Sequence, residues 1–301
     1  MRPPAQVTSS QAHVELVHTM GTVVVLDVRA PTRPPALEAA VGEVTRLLRH
    51  VDELFSTWRP DSWVSRLLTG RVTPAACPAK VHDVIALAEA LAEVTDGFFS
   101  PYWRPAETGA GGPDPTGLLK GWAAQQASDI LLAHDLPDHI VNAAGDIVLS
   151  GTPTAVPAGT LRPADSAASD HSTWRVGISD PLDSMALAGV VELPGVRGRW
   201  AVATSGVAEL GYHVVDPHTG SSPRAVVSAT AVVRLDGLGA GPDNQAGATA
   251  DACATALVAS GEHADALLGQ LTSKGVVALF IDADAVVHDP HQLLICAQAD
   301  V

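Results

Sequence analysis

The chain of 301 residues is 47% hydrophobic and 17% charged, which suits one large α/β domain or two closely packed ones and excludes wholesale disorder. Its formal net charge of −15 excludes nucleic-acid binding through a general basic field, although a local phosphate site remains compatible with it. Three scattered cysteines exclude a disulfide framework and a zinc site. Without a signal-peptide pattern or an apolar run of about 18 residues, we expect a cytoplasmic protein with no membrane span.

The first half of the sequence predicts two strands, then three helices and a further strand. The two strands lie within 14–28, on either side of a break at "TMGT" (19–22). Apolar residues at helical spacing predict a helix over 37–55, and Gly97 is placed to end a second helix. The remaining elements are predicted over 80–95 (helix), 121–134 (helix) and 139–151 (strand).

The second half is richer in strands. Residues 152–173 are dominated by Pro, Ala, Ser and Asp, which predicts a long flexible loop. Two helices are predicted over about 249–260, with Thr249 as N-cap, and about 262–272. Strands are predicted over 174–179, 186–193, 200–205, 212–215, 226–235 and 275–282. This order favours a mixed α/β or α+β fold with a largely antiparallel second half.

Asp251 and Thr255 are the first candidate site residues. They stand four residues apart in "TADACATAL" (249–257), so both side-chain oxygens lie on one face of the predicted helix. Together with a backbone carbonyl they would supply the all-oxygen ligands that Mg²⁺ prefers. The spacing alone favours a simpler interpretation, in which Asp251 interacts with the helix dipole and Thr255 packs.

Two turn-rich segments carry further candidates. Lys120, in "GLLKG" (117–121), stands near the start of a predicted helix, where a lysine and free N–H groups can receive a phosphate. The alternative is an exposed lysine on an amphipathic helix. His213 ends a predicted strand and is followed by the tight turn "DPHTG" (216–220). It is either a solvated surface histidine or a group held beside a phosphate-bearing ligand.

Two other segments have side chains suited to a flat ligand. Met20, at a strand break, could pack on an aromatic ring or belong to the core. Trp58, in "FSTWRPDS" (55–62), could stack on a ring or bury an edge. The small-residue segment "NAAGDI" (142–147) allows a ligand or a second backbone to approach closely.

Taken together and in this order, nine segments resemble the ApbE-like family, the FAD:protein FMN transferases. The resemblance extends from about residue 15 to the C-terminus. The matching segments are "MGT" (20–22), "FSTWRPDS" (55–62), "DGFFSP" (96–101), "GLLKGWA" (117–123), "VNAAGDI" (141–147), "WRVGISDP" (174–181), "ATSG" (203–206), "HVVDPHTG" (213–220) and "TADACATAL" (249–257).

The resemblance implies a single α+β domain over residues 1–301, with FAD in a central cleft. It implies an enzyme that uses FAD as substrate and Mg²⁺ as cofactor. The FMN moiety is transferred to a Ser or Thr hydroxyl of an acceptor protein, a phosphoester forms and AMP is released. The implied partners are FAD and an acceptor protein with a Ser/Thr flavinylation motif. From the charge and hydropathy we expect no nucleic-acid partner and no membrane span.

The resemblance also implies roles for individual residues. Asp251 and Thr255 become metal ligands together with the main-chain oxygen of Gly117 or its neighbour Thr116, and Asp251 is also counted as catalytic. His213 becomes the catalytic group that deprotonates the acceptor hydroxyl. The implied contacts to FAD come from Met20, Ser56, Thr57, Trp58, Phe99, Ser100, Thr116, Lys120 and His213.

Two positions depart from the family pattern. Ser100 stands where the family usually has Asp, which removes a charge near the implied adenine or ribose contacts. Ala144 stands in the segment where the family usually has Gly-Gly-Asp, which adds a methyl group. Two other functions stay open: an FAD-binding carrier or sensor without transfer, and an Mg²⁺-dependent FAD pyrophosphatase giving FMN and AMP.

Overall fold

The computed structural model describes residues 11–104, 112–153, 173–195, 198–208, 211–235 and 241–295. Most of the loop predicted over 152–173, namely residues 154–172, lies outside the described residues. The single domain over residues 1–301 stays a prediction. Among the helices described, none is long and apolar enough to cross a membrane.

The described chain begins with a β-hairpin and continues with helices. The two hairpin strands meet at a two-residue turn, Met20 and Gly21, whose φ angles of 49° and 68° are the positive values that such turns require. The helix predicted over 37–55 is confirmed, and its apolar face is buried. The elements are β1 (Gln11–Thr19), β2 (Thr22–Ala30), α1 (Leu37–Phe55), α2 (Trp63–Leu68), α3 (Ala79–Val94) and α4 (Thr116–Ala133).

The second half contains most of the strands and two helices. These elements are β3 (His139–Ala143), β4 (Asp146–Ser150), β5 (Thr173–Ser179), β6 (Leu187–Pro194), β7 (Arg199–Gly206), β8 (Val226–Arg234), α5 (Ala246–Ser260), α6 (Ala264–Ser273), β9 (Val277–Asp282), β10 (Val287–His288) and β11 (Leu294–Ile295). The expected α+β class is confirmed.

The strands form two antiparallel sheets. The larger has eight strands in the order β1-β2-β3-β4-β7-β8-β9-β10, and the smaller has three in the order β11-β6-β5. Helices α4 and α5 pack on each other and against the larger sheet. Side chains of β5 and β6, such as Trp174 and Val191, pack with Leu149, Val202 and Val232 of the larger sheet in a separate core. Helices therefore cover one face of the larger sheet, and the smaller sheet covers the other face.

Two sequence predictions about strands are wrong. Residues 212–215 form no strand, and the apolar Val214 and Val215 instead line a cleft described below. Their β propensity reflects partial burial rather than strand pairing. The strand predicted over 139–151 is a hairpin, β3–β4, whose turn residues Ala144 and Gly145 have φ angles of 54° and 95°.

Two helices also begin earlier than predicted. α4 begins at Thr116 because the Asp114 carboxylate accepts a hydrogen bond from the Thr116 amide, Oδ1 lying 3.1 Å away. α5 begins at Ala246, so Thr249 is not its N-cap. The Thr249 hydroxyl instead donates to the Gln245 carbonyl at 2.9 Å.

Candidate active site

A cleft of about 560 Å³ brings together every site residue that the sequence predicts. Its walls include the turns of the β1–β2 and β3–β4 hairpins and the C-terminal ends of α1, β5 and β7. The first turn of α4 and part of α5 complete them. The two hairpin turns and the C-terminal end of β7 lie at one edge of the larger sheet because of the antiparallel register. The predicted residues that line the cleft are Met20, Ser56, Thr57, Trp58, Phe99, Ser100, Thr116, Gly117, Lys120, His213, Asp251 and Thr255.

The close crossing of α4 and α5 positions Asp251. A Cβ atom on Gly121 would overlap the Gly247 carbonyl and would lie 2.9 Å from the Cβ of Asp251. The absence of a side chain at Gly121 therefore lets the backbones touch. The Gly121 amide donates to Asp251 Oδ2 at 3.2 Å, and the Lys120 amide bonds to the same carboxylate. Both amides lie inside α4, which begins at Thr116, and both hold the Asp251 carboxylate. They are therefore not free to bind a phosphate, and the prediction of a helix start with free N–H groups at Lys120 is wrong.

Oxygen atoms from three elements meet next to Asp251. The Thr255 hydroxyl, one helical turn further along α5, lies 3.5 Å from the Gly117 carbonyl oxygen of α4. It also lies 3.0 Å from the Ser205 hydroxyl at the end of β7. Sequence reasoning gave Ser205 no role, although the residue stands in the matching segment "ATSG" (203–206). A Cβ on Gly117 would press on the Phe99 ring at 3.2 Å and on Thr255 at 3.4 Å, so glycine suits this crowded position.

The electrostatics of this region favour a bound cation. Burial raises the pKa of Asp251 well above its usual value, the neighbouring Asp146 carboxylate raises it further, and Lys120 lowers it. Lys120 Nζ forms an ion pair with Asp146 Oδ2 at 2.9 Å, and the lysine side chain is 40% exposed. Two buried carboxylates thus share one lysine, and a divalent cation would stabilise their ionised forms.

The donor set fits Mg²⁺. A carboxylate, a hydroxyl and a main-chain carbonyl are hard oxygen donors, and such ions keep other positions for water or phosphate. Within the described part of the chain, no three His, Cys, Asp or Glu side chains cluster as a metal site. A site here would therefore rely on Thr255 and Gly117 beside Asp251.

Apolar side chains, one of them fully open to solvent, form one wall of the cleft. Trp58 is 93% exposed, which contradicts the alternative that it buries an edge. It follows the end of α1, where the Ser56 carbonyl accepts hydrogen bonds from the Ser62 and Ser65 hydroxyls at 2.6 and 3.1 Å. Met20 stands at the turn of the first hairpin with a positive φ and also packs against the core. The link after α1 is thus fixed while its tryptophan faces solvent.

His213 lies on an irregular segment at the mouth of the cleft. Its side chain is exposed, and Nδ1 lies 2.9 Å from the Gly211 carbonyl oxygen. A carbonyl can only accept, so Nδ1 carries a proton, and in the neutral imidazole the lone pair is then on Nε2. This tautomer, assigned from the hydrogen bond, leaves His213 able to accept a proton at Nε2.

The turn after His213 is held by Asp216. Its carboxylate accepts hydrogen bonds from the His218 amide at 2.9 Å and the Thr219 hydroxyl at 2.8 Å. Burial raises the pKa of Asp216, but these donors outweigh burial and the pKa is lowered overall. The Gly220 amide closes the turn on the Asp216 carbonyl at 2.8 Å, with φ of 69° at Gly220. The predicted turn is confirmed, and it fixes the position of the chain that leads from His213.

The chain is similar to one protein-family model and to several solved structures. The ApbE family model matches residues 20–112 and 111–280. The solved ApbE protein from Thermotoga maritima is 20% identical with a TM-score of 0.70, covering 93% of this chain and 97% of that chain. Flavin transferase ApbE from Vibrio cholerae is 22% identical with a TM-score of 0.69, covering 92% and 96%. Flavinyl transferase ApbE from Pseudomonas stutzeri, in its apo form, is 20% identical with a TM-score of 0.68, covering 92% and 93%. No curated protein matches at a significant level.

Proposed function

Because the chain belongs to the ApbE family of flavin transferases, we propose that it transfers the FMN moiety of FAD to a Ser or Thr hydroxyl of an acceptor flavoprotein. The reaction depends on Mg²⁺ and releases AMP. The observation that carries this proposal is one cleft, where a buried oxygen cluster, a lysine, an exposed tryptophan and a histidine with an available Nε2 come together. Each of these features matches one part of FAD or one step of the transfer.

Asp251, Thr255 and the Gly117 carbonyl would hold Mg²⁺ beside the pyrophosphate of FAD. When bound, Mg²⁺ neutralises phosphate charge and favours attack on phosphorus. Lys120 contributes positive charge to the same region, since its side chain is partly exposed while Nζ remains paired with Asp146. These groups allow a chain with net charge −15 to bind an anionic dinucleotide.

The transfer step follows from the position of His213. The acceptor hydroxyl oxygen attacks the phosphorus of the FMN half, and its proton passes to His213 Nε2. A phosphoester bond forms between the acceptor oxygen and this phosphorus, and the anhydride bond to the bridging oxygen breaks. AMP leaves with the bridging oxygen and the electron pair of that bond. His213 is exposed, so a hydroxyl on a protein surface can reach it from solvent.

Incubation with FAD and Mg²⁺, with and without a candidate acceptor, tests this function. The acceptor would carry an Asp-x-x-Ser/Thr-Gly-Ala-Ser/Thr stretch. The proposal predicts AMP release only when acceptor is present, together with a gain of one FMN in the intact mass of the acceptor. AMP release without acceptor would indicate a pyrophosphatase. FAD binding without AMP in either mixture would indicate a carrier or sensor.

A further inference from the structure

Trp103 lines the same cleft but is not among the residues that the sequence predicted. Its side chain is partly buried, and the guanidinium carbon of Arg104 lies 4.6 Å from the centre of its ring. A cation on one face of an indole ring is attracted by the ring quadrupole. The ring is therefore held on one side by a neighbouring residue while it also borders the cleft.

A buried carboxylate fixes Arg104. The Asp114 side chain is fully buried, and its Oδ2 accepts from Arg104 Nε at 2.8 Å and from Nη2 at 2.6 Å. Two hydrogen bonds from one guanidinium define the orientation of that group as well as its position. The ring of Trp103 therefore rests on a cation that has little freedom to move.

The same carboxylate connects this loop to α4. Asp114 Oδ1 accepts from the Thr116 amide at 3.1 Å, and the Asp114 amide donates to the Pro101 carbonyl at 2.7 Å. Residues 101–104 are thus tied to the start of α4, which carries Gly117 and Lys120. A side chain placed this rigidly loses little conformational entropy when a ligand binds.

We propose that Trp103 is the stacking platform for the adenine ring of FAD and makes the cleft select FAD over FMN, an inference that rests on the proposed function. FAD has two ring systems joined by a pyrophosphate, and the cleft offers two separate tryptophans, Trp58 after α1 and Trp103 before α4. A bound guanidinium draws electron density from the indole. Adenine is electron-rich and isoalloxazine is electron-poor, so the Arg104-backed ring suits adenine, as bases stack on aromatic and arginine planes in other proteins.

Two substitutions at one position separate stacking from packing. Trp103→Leu removes the aromatic ring but keeps apolar bulk, and Trp103→Phe keeps a ring. The affinities to measure, in the presence of Mg²⁺, are those for FAD, FMN and ADP, by calorimetry with flavin fluorescence as a second readout. Trp58→Ala is the matched variant on the other tryptophan. Melting temperatures of all variants, taken without ligand, report on packing.

The inference predicts that Trp103→Leu weakens FAD and ADP binding by roughly 5- to 100-fold, the range for loss of base stacking, and leaves FMN binding unchanged. Trp103→Phe should retain most of the FAD affinity, and Trp58→Ala should weaken FMN as well as FAD. Unchanged FAD affinity in Trp103→Leu, or equal losses for FAD and FMN, would overturn the adenine assignment. Those results leave the proposed function intact, whereas a wild-type protein that binds no FAD would overturn the function itself.

Discussion

Gly121 of α4 and Gly247 of α5 face each other so closely that a Cβ atom on either would overlap the carbonyl group of the other. This contact places the Gly121 amide 3.2 Å from Asp251 Oδ2. A backbone contact between two helices therefore sets the position of the buried carboxylate in the candidate metal site. The site therefore depends on the packing of two helix backbones as well as on its own side chains.

Gly121→Ala should destabilise the protein by roughly 1–3 kcal/mol or more, because the added methyl group has no space and the helices must separate. It should also weaken Mg²⁺-dependent FAD binding, since Asp251 moves with α5. Gly269→Ala is the matched control. Gly269 is an exposed position in α6 where an added Cβ meets nothing within 4 Å, so alanine should stabilise the helix by roughly 0.5–1 kcal/mol. Urea unfolding of both variants measures the difference, and similar stabilities would contradict the packing argument.

The hydroxyl of Thr255 should decide metal affinity. Thr255→Val keeps the shape of the side chain but removes the oxygen that lies 3.0 Å from Ser205 and 3.5 Å from the Gly117 carbonyl. We expect Mg²⁺ affinity, titrated through FAD binding, to fall by roughly 10-fold or more. Thr255→Ser keeps the oxygen and should stay near the wild type. If valine and serine variants have the same Mg²⁺ affinity, Thr255 is a packing residue only.

His213 should act in the transfer step rather than in binding. His213→Ala should leave FAD affinity nearly unchanged and slow transfer to the acceptor by roughly 10²- to 10⁴-fold, the usual effect of losing a general base.

The nearby His218 provides the control for His213. Its Nδ1 lies 3.0 Å from Asp216 Oδ1, and its ring packs edge-on against Phe98. His218→Ala should transfer flavin at the wild-type rate. Single-turnover AMP release from both variants tests whether His213 is the general base. A wild-type rate in His213→Ala would refute this mechanism but not the membership of the ApbE family.

Buried His139 should make the protein less stable in acid. Its Nδ1 donates to the Leu136 carbonyl at 2.7 Å, and its Nε2 accepts from the Ser128 hydroxyl at 2.7 Å. Burial lowers the pKa of His139 from 6.5 to about 4. The unfolded chain therefore binds the proton first, and stability is lost as pH falls from about 6.5 to about 4, by roughly 3 kcal/mol.

A variant without this imidazole isolates the effect from other titrating groups. His139→Gln should be less stable than the wild type at pH 7 because the fit to Ser128 is lost. The difference in unfolding free energy between the two proteins should then shrink as pH falls through the window above. Denaturant unfolding at a series of pH values measures it, and parallel curves would show that His139 does not titrate between the two states.

The sequence by itself determined much of the local structure and the candidate residues. The apolar spacing of residues 37–55 predicted α1 with its observed bounds, since a 3.6-residue period is a local property of the chain. The resemblance of nine ordered segments to the ApbE-like family singled out the candidate residues, including Asp251 and His213, and all of them line one cleft. On spacing alone, Asp251 and Thr255 favoured a simpler structural interpretation.

Local patterns failed where long-range packing decides the backbone. Val214 and Val215 have strand propensity, yet they line the cleft without pairing. The first two residues of α4 are Thr116 and Gly117, and those of α5 are Ala246 and Gly247, so no apolar residue marked the points where these helices begin. Trp103 and Ser205 were given no role because nothing in their own segments shows what lies opposite them.

Only the tertiary structure decided how the site is assembled. Thr255 and Gly117 are separated by 138 residues, and Ser205 comes from a third element, so their meeting depends on the stacking of α4 and α5 against the larger sheet. The same packing buries Asp251 beside Asp146 and Lys120 and raises the pKa of its carboxyl group. Burial and proximity are properties of the folded chain, because they depend on which distant atoms exclude water from a side chain.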